Sequence, residues 1–200
     1  MREVHIVGGG LAGCEAAWQV ARAGGRAVLY EMRPLRQTPA HKTSDLAELV
    51  CSNSLKTEQQ NSAPWLLKEE LRRLGSLLIG EIAPRARVPA GHALTVDREI
   101  FAAEITRAIA AEPAIEIRRE EVTTLDDGRI WIIASGPLTA DALAQEIARV
   151  TGSNRLFFYD SISPIIDAES IDTTIAFRAS RYDKSLDGTA DYLNCPFNKE

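Results

Sequence analysis

The sequence predicts an α/β protein built around a parallel sheet. Three observations carry that prediction. Val4-His5-Ile6-Val7 is a short apolar run of strand type. Gly8, Gly9, Gly10 and Gly13 make a glycine turn that opens a helical stretch from Leu11 to Ala23. Ala27-Val28-Leu29-Tyr30 is a second apolar strand, and it ends on an acid, Glu31. Strand, glycine turn, helix, strand and an acid at roughly the ~20-residue spacing expected form the sequence signature of a Rossmann-like, dinucleotide-binding βαβ unit.

Each part of that unit has a physical task. Gly8 permits the tight turn, Gly10 has no side chain to hold the backbone away from a pyrophosphate, and Gly13 lets the helix pack close to the strands. The backbone N–H groups that begin the helix, through Leu11 and Ala12, offer unpaired donors and a partial positive charge to phosphates. Glu31, at the tip of the second strand, is placed to accept hydrogen bonds from a ribose. The plainer alternative, a glycine-rich turn with no ligand, leaves the placing of Glu31 to chance.

The bulk numbers set bounds. Two hundred residues suit one large domain or one and a half. With 45% apolar and 26% charged residues, the composition is that of an ordinary globular protein. No apolar run reaches membrane-span length, so no membrane association is expected. The chain opens directly on a strand, which reads as no signal peptide. Cys14, Cys51 and Cys195 are few and widely spaced, with no metal or redox pattern and no disulfide framework. A reducing cytoplasm is the simplest expectation. A net charge of −5 excludes general nucleic-acid binding over the whole surface but not a local basic patch.

Arg33 to Ser44 carries two prolines with Arg33, Arg36, His41 and Lys42, and reads as a long loop leaving the nucleotide site. Two readings stand side by side: a solvated connector, or a positive segment near a phosphate-bearing ligand. Asp45 to Leu55 is expected to begin as a helix capped by Ser44 or Asp45. Cys51 then falls in the polar run Cys-Ser-Asn-Ser. An isolated cysteine is more often a small buried apolar residue than a reactive one, and reactivity needs a nearby cation or helix N-terminus.

Ala63 to Leu74 is an amphipathic helix with Pro64 in its first turn, an apolar face of Leu66, Leu67, Leu71 and Leu74, and Gly75 as a stop. Lys68, Glu69, Glu70, Arg72 and Arg73 read as its solvated face. Leu77-Leu78-Ile79 reads as a short strand. Val88 to Val96 is a Pro/Gly turn and a strand, in which His92 is a turn residue rather than a base or ligand. Asp97 caps a helix from Arg98 to Ala111 with Ile100, Phe101, Ile105 and Ile109 at helical spacing, and Pro113 ends it. Ile115 to Arg118 alternates as a strand, and Glu120 to Thr124 continues the extended pattern. Asp127-Gly128 is a hairpin-type turn. Ile130 to Ala134 is a buried strand stopped by Ser135-Gly136-Pro137, where Gly136 lets backbone approach a cofactor; the alternative is a plain strand-end turn.

Beyond Pro137 the character changes. Ala140 to Val150 is a helix ending at Thr151-Gly152, Leu156 to Tyr159 an aromatic strand, and Tyr192 to Asn194 a last strand. A polar stretch between them holds Arg178, Arg181 and Lys184. The chain ends at Asn198-Lys199-Glu200 without a turn or cap, which suggests a fragment of something longer.

Taken together, GGGLAGCEAAWQVA, YEMRPLRQTPAHKTSDLAELVCSNSLK, VPAGHALTVDRE, ASGPLT, FFYDSISPI, SRYDK and YLNCPFNKE resemble the folate- and flavin-dependent tRNA uracil-5-methyltransferases, the TrmFO family. YEMRP with CSNSLK is far more specific than the glycine motif. The resemblance implies FAD on a Rossmann-like sheet with an inserted α/β domain. Residues 1–136 would be the incomplete FAD-binding domain and 137–200 the start of the insertion. It implies transfer of a methylene group from 5,10-methylenetetrahydrofolate to C5 of a T-loop uridine in tRNA, with NAD(P)H regenerating reduced FAD. Uracil C5 is a poor nucleophile until a thiolate adds to C6, so a cysteine and a flavin are the parts such chemistry needs.

Residue by residue, Gly8, Gly9, Gly10, Leu11, Ala12 and Gly13 match the family's FAD-phosphate turn and Glu31 its ribose acid. Cys51 matches a cysteine implicated in the chemistry. Arg178, Arg181 and Lys184 lie where the insertion, and contact with tRNA phosphates, is expected. Family members look about twice as long, so a later cysteine that attacks uracil would lie past Glu200. Cys195 is not that cysteine, and Cys14 is expected to be packed. The alternatives are the related FAD enzyme that modifies a wobble uridine, against which YEMRP and CSNSLK argue, and a generic FAD/NAD(P) oxidoreductase. The isolated chain itself is expected to be an inactive nucleotide-binding piece.

Overall fold

The computed structural model describes residues 2–153, 166–180 and 190–196. The expected aromatic strand at 156–159, together with Arg181, Lys184 and residues 198–200, lies outside the described residues.

A four-stranded parallel sheet organises the chain, in the order β6-β2-β1-β7. Its strands are β1 (Glu3–Val7), β2 (Arg26–Tyr30), β6 (Ile115–Arg118) and β7 (Ile130–Ile133). Helix α1 (Leu11–Arg22) connects β1 to β2. Side chains alternate across the sheet, as a two-residue period dictates. Ile6, Ala27, Leu29 and Ile115 face α1 and join Cys14 and Ala17 in the core. His5 and Tyr30, on the opposite face, are buried with each other; His5 Nδ1 lies 2.9 Å from Tyr30 Oη. The rings of both stack near Trp131 of β7 at 5.0 and 5.7 Å.

Between β2 and β6 lies a long excursion. It holds β3 (Ser54–Thr57), α2 (Ala63–Arg73), a π-helical turn (Leu77–Ile82), α3 (Ala83–Arg85), β4 (Arg87–Val88), β5 (Ala93–Val96) and α4 (Arg98–Ala111). β3, β5 and β4 form a small antiparallel sheet in that order. α4 is capped as expected, Asp97 accepting from the N–H groups of Glu99 and Ile100 at 3.0 Å. Its Phe101, Ile105 and Ile109 are fully buried, but Ile100 faces outward. α5 (Asp141–Thr151) ends at Gly152 in the left-handed region, as the sequence indicates. β8 (Phe177–Ala179) pairs with β9 (Tyr192–Asn194), the last strand expected. Tyr192 Oη donates to Ala90 O at 2.9 Å and ties that hairpin to the turn before β5. Among the described residues, no helix is long and apolar enough to cross a membrane.

Several expectations are corrected. Leu77-Leu78-Ile79 is a π-helical turn, not a strand. Ser76 caps it by accepting from Ile79 N and donates to Glu15 on α1, and the i, i+1, i+5 spacing buries Leu77, Leu78 and Ile82 together. Asp45 to Leu55 forms no helix. Leu46 N donates to Thr106 Oγ1 and Ala47 N to Gly9 O, both at 2.8 Å, so tertiary partners take the donors a helix would use. Asp127-Gly128 is a turn but not a hairpin, because β6 and β7 run parallel at opposite edges of the sheet. Glu121 to Asp126 belongs to no strand. β7 is an edge strand rather than a buried one, with Ile130, Ile132 and Ile133 all exposed.

α2 is the sharpest reversal. Leu66, Leu67 and Leu74 are exposed, while Lys68 is only 3% exposed. The Lys68 ammonium donates to Leu55 O at 2.9 Å and Thr57 O at 2.8 Å. Arg72 beside it donates to both oxygens of Glu58. α2 therefore turns Lys68 inward, onto the carbonyls of β3, whose Lys56 lies in the left-handed region. Lys68→Met removes these bonds. Chemical denaturation is expected to show a loss of about 1–3 kcal/mol, with hydrogen-exchange protection lost first around Ser54–Thr57.

Candidate functional site

The C-terminal ends of β1, β2 and β7 converge on a cavity of about 260 Å³. The glycine turn forms one wall, Glu31 to Arg33 another, and Ala134 to Ala140 with Leu143 a third; Thr38, His41, Val50 and Glu120 to Val122 close the remainder. This is the crevice at the carboxyl ends of parallel strands where open α/β sheets take ligands. Ligand pockets usually run to roughly 300–1,000 Å³, so this volume covers part of a dinucleotide. Residues on both sides of the expected 136/137 division line it.

The turn is shaped by backbone contact. Gly8 has φ +107°, and a Cβ there would stand 2.6 Å from Ala134 O. A Cβ on Gly13 would fall 1.8 Å from Gly8 O, so the helix approaches the turn's own carbonyl rather than the strands in general. Gly9 is packed against Leu46 and Glu31. Gly10 and Gly136 differ: no protein atom lies within 4 Å of where their Cβ atoms would stand. Open space on two walls of one cavity is the shape a bound pyrophosphate-bearing cofactor requires, and FAD fits that donor set. The N–H groups at the start of α1 face no intrahelical acceptor, since Cys14 N is the first to donate back, to Gly10 O at 3.0 Å.

Glu31 is buried, and its carboxylate accepts four hydrogen bonds. Oε1 accepts from Arg33 N and Arg33 Nε, both at 3.0 Å. Oε2 accepts from Gly9 N at 3.0 Å and Arg33 Nη2 at 3.2 Å. Burial by itself would raise its pKa; the Arg33 hydrogen bonds and charge, with Gly9 N–H, outweigh that and hold it below the usual carboxylate range.

Arg33 is 1% exposed. Its remaining N–H groups go to Glu48 Oε2 (2.9 Å), Thr43 O (3.1 Å) and Asp45 O (3.0 Å). Neither reading of the basic loop describes Arg33, which is neither solvated nor turned to a phosphate. Arg36 is paired with Glu121. His41 lines the cavity; burial, then the Arg33 charge, lowers its pKa, so it is neutral at pH 7. The Thr38 hydroxyl accepts from His41 N at 3.2 Å and pairs with its ring Nδ1 at 2.6 Å. The loop thus lines the cavity with the neutral side chains of Thr38 and His41 beside an Arg33 whose charge is already paired. The sequence signal for Arg33 was its spacing of two from Glu31, close enough for a fork onto one carboxylate.

Cys51 is exposed, not packed, and directly follows Val50 of the cavity wall. Arg98 Nη2 donates to its carbonyl at 3.4 Å. Cys14 is packed as expected: its thiol donates to Gly9 O, and burial pushes its pKa up to about 12. Cys195 is exposed beyond β9. His92 sits in the turn before β5, and its carbonyl accepts Glu58 N, as expected of a turn residue. Arg178 is exposed on β8.

Residues 3–200 match the family model described as glucose inhibited division protein A. A methylenetetrahydrofolate–tRNA-(uracil-5-)-methyltransferase TrmFO of Solibacter usitatus is 67% identical over 99% of this chain and 44% of its own length. The protein of the same name from Koribacter versatilis is 64% identical over 99% of this chain and 44% of its own. The chain therefore spans less than half the length of these relatives. The solved structure of Aquifex aeolicus GidA has the same fold over 66% of this chain and 23% of its own, with a TM-score of 0.50 at 16% identity.

The Glu31–Arg33–Glu48 cluster makes a pH prediction. Glu48 is also lowered: its burial is outweighed by donors from Lys42 and Thr43. Carboxylates with depressed native pKa values stabilise fully above their unfolded pKa and lose that contribution as pH falls through the native value. Arg33→Met takes the counter-charge from both carboxylates, leaves Glu31 only the backbone donors of Gly9 and residue 33, and is expected to cost about 3–5 kcal/mol at neutral pH. Urea denaturation should show that cost shrinking as pH falls into the acid range and the carboxylates take up protons. A cost independent of pH would contradict the assignment.

Proposed function

The chain belongs to the glucose inhibited division protein A family, and from that premise we propose that it carries the dinucleotide-binding part of a folate- and FAD-dependent tRNA uracil-5-methyltransferase. One observation carries the reading: a phosphate-type turn, with open space at Gly10 and Gly136, walls a cavity whose lining residue Val50 directly precedes an exposed cysteine, Cys51. The N–H groups of Gly10, Leu11, Ala12 and Gly13 take the pyrophosphate, with Gly8 and Gly9 shaping the turn. Glu31 takes a ribose hydroxyl, and Gly136 lets backbone close over the cofactor. Bound there, FAD supplies the redox chemistry that turns a transferred methylene into a methyl group. Cys51 is the catalytic cysteine of this half of the protein.

On this reading the carbon donor is 5,10-methylenetetrahydrofolate, the reductant NAD(P)H, the substrate a T-loop uridine of tRNA, and the compartment the cytoplasm. Residues 1–136 form the FAD domain and 137–200 begin an insertion whose exposed Arg178 meets tRNA phosphates. The relatives at 64–67% identity favour this over wobble-uridine modification, because likeness to GidA at 16% identity speaks to fold alone.

Full-length protein is expected to consume methylenetetrahydrofolate only when tRNA is present; consumption without tRNA would favour a small-molecule oxidoreductase. In that protein Cys51→Ala should keep its flavin and lose at least about a thousandfold in methyl transfer, and unchanged turnover removes Cys51 from the mechanism. Gly10→Val should fold yet purify colourless, because its side chain meets cofactor space and no protein atom. Gly13→Ala should instead fail in stability, since its methyl meets the Gly8 carbonyl.

A further inference from the structure

We infer that Arg33 is a positioning residue of the nucleotide site, fixing where the Glu31 carboxylate points and tying the Thr43–Glu48 segment to that carboxylate. The inference rests on the reading that Glu31 accepts from the cofactor's ribose.

A guanidinium has five N–H donors in a rigid planar fork. Arg33 makes five side-chain hydrogen bonds: two to Glu31, one to Glu48 and one each to Thr43 O and Asp45 O. With its side chain 1% exposed, it has no N–H left for a phosphate. Its work is therefore done through Glu31. The fork meets both carboxylate oxygens, and the Arg33 backbone N–H adds a further bond to Oε1, so rotation of the carboxylate breaks three contacts at once.

The opposite side of Arg33 faces the loop. Thr43, Asp45 and Glu48 converge on it within six residues, and the chain then runs through Val50 of the cavity wall to Cys51. Gly9 N closes the other end on Glu31 Oε2. One cation thus links glycine turn, ribose acid and the cysteine-bearing segment. Of the four bonds Glu31 accepts, the Nη2 contact at 3.2 Å is the longest, and Nη2 retains Asp45 O if a ribose hydroxyl displaces it. A lysine offers its donors from one point and cannot span both oxygens and the loop.

The test edits the ligand as well as the protein. Apo full-length protein is titrated, by flavin fluorescence, with FAD and with the FAD analogue lacking the adenosine 2′- and 3′-hydroxyls. Wild type is expected to prefer FAD by about tenfold or more. Arg33→Met is expected to bring the ratio close to one, because a carboxylate that has lost its orientation no longer reads the hydroxyls. Arg33→Lys should not restore it. Equal weakening of both ligands, with the preference kept, makes Arg33 merely structural and overturns the inference while leaving the ribose reading intact. No preference in wild type removes the ribose reading, and the inference with it. If Arg33→Met does not fold, Glu48→Gln, which loosens the far anchor alone, should narrow the preference, and an unchanged ratio there overturns the inference.

Discussion

A buried arginine cannot be left partly satisfied, and Arg33 is the point where that constraint organises this molecule. Removing a guanidinium from water is costly unless nearly every N–H finds an acceptor and its charge finds an opposite charge. Arg33 meets that demand with the carboxylates of Glu31 and Glu48 and the carbonyls of Thr43 and Asp45. The acceptors come from two stretches of chain, Glu31 at the end of β2 and Thr43 to Glu48 in the loop that follows, so satisfying one side chain fixes both. Glu31 passes the constraint to the glycine turn through Gly9 N. The loop after β2 is tied to this cation at Thr43, Asp45 and Glu48, and to Arg119 through the carbonyls of Arg33 and Ser44.

The turn itself depends on close backbone approach. Gly8 and Gly13 are required because the turn touches Ala134 and itself. Gly10 and Gly136 are different: both line the cavity and meet no protein atom within 4 Å of a Cβ position, and Gly136 has φ +67°. The distinction separates glycines held by backbone contact from glycines that face the open cavity. It follows from the parallel order of β2, β1 and β7, which brings three strand ends to one side of the sheet.

Beyond the cavity, another cation joins the small sheet to α2. Lys68 reaches in from α2 to donate to the carbonyls of Leu55 and Thr57. The leucines of α2 are turned outward as a result. This arrangement holds the start of β3 three residues after Cys51. The carbonyl of Cys51 itself is held by Arg98 at the start of α4. The cysteine therefore sits on an exposed segment fastened on both sides by cations.

Much of this was legible in sequence, where the determinants are local. The β1-α1-β2 unit, the Asp97 cap, the stop at Gly152 and the packing of Cys14 follow from periodicity, caps and glycine placement, which act over a few residues. The glycine turn and Glu31 announced the cavity, and the motifs around Cys51 announced the family. What the sequence could not decide was which partner each polar group would find. Lys68 read as part of a solvated face because its acceptors lie on β3, and the loop of Arg33 and His41 read as a solvated connector or a phosphate-facing segment because the fold of that loop around Glu31 is not periodic. Leu77-Leu78-Ile79 and Asp45 to Leu55 took forms set by Glu15, Thr106 and Gly9 rather than by their own pattern. Burial of a charge, and the face a helix turns inward, depend on carbonyls and carboxylates supplied from elsewhere in the chain, and only the tertiary structure brings these together.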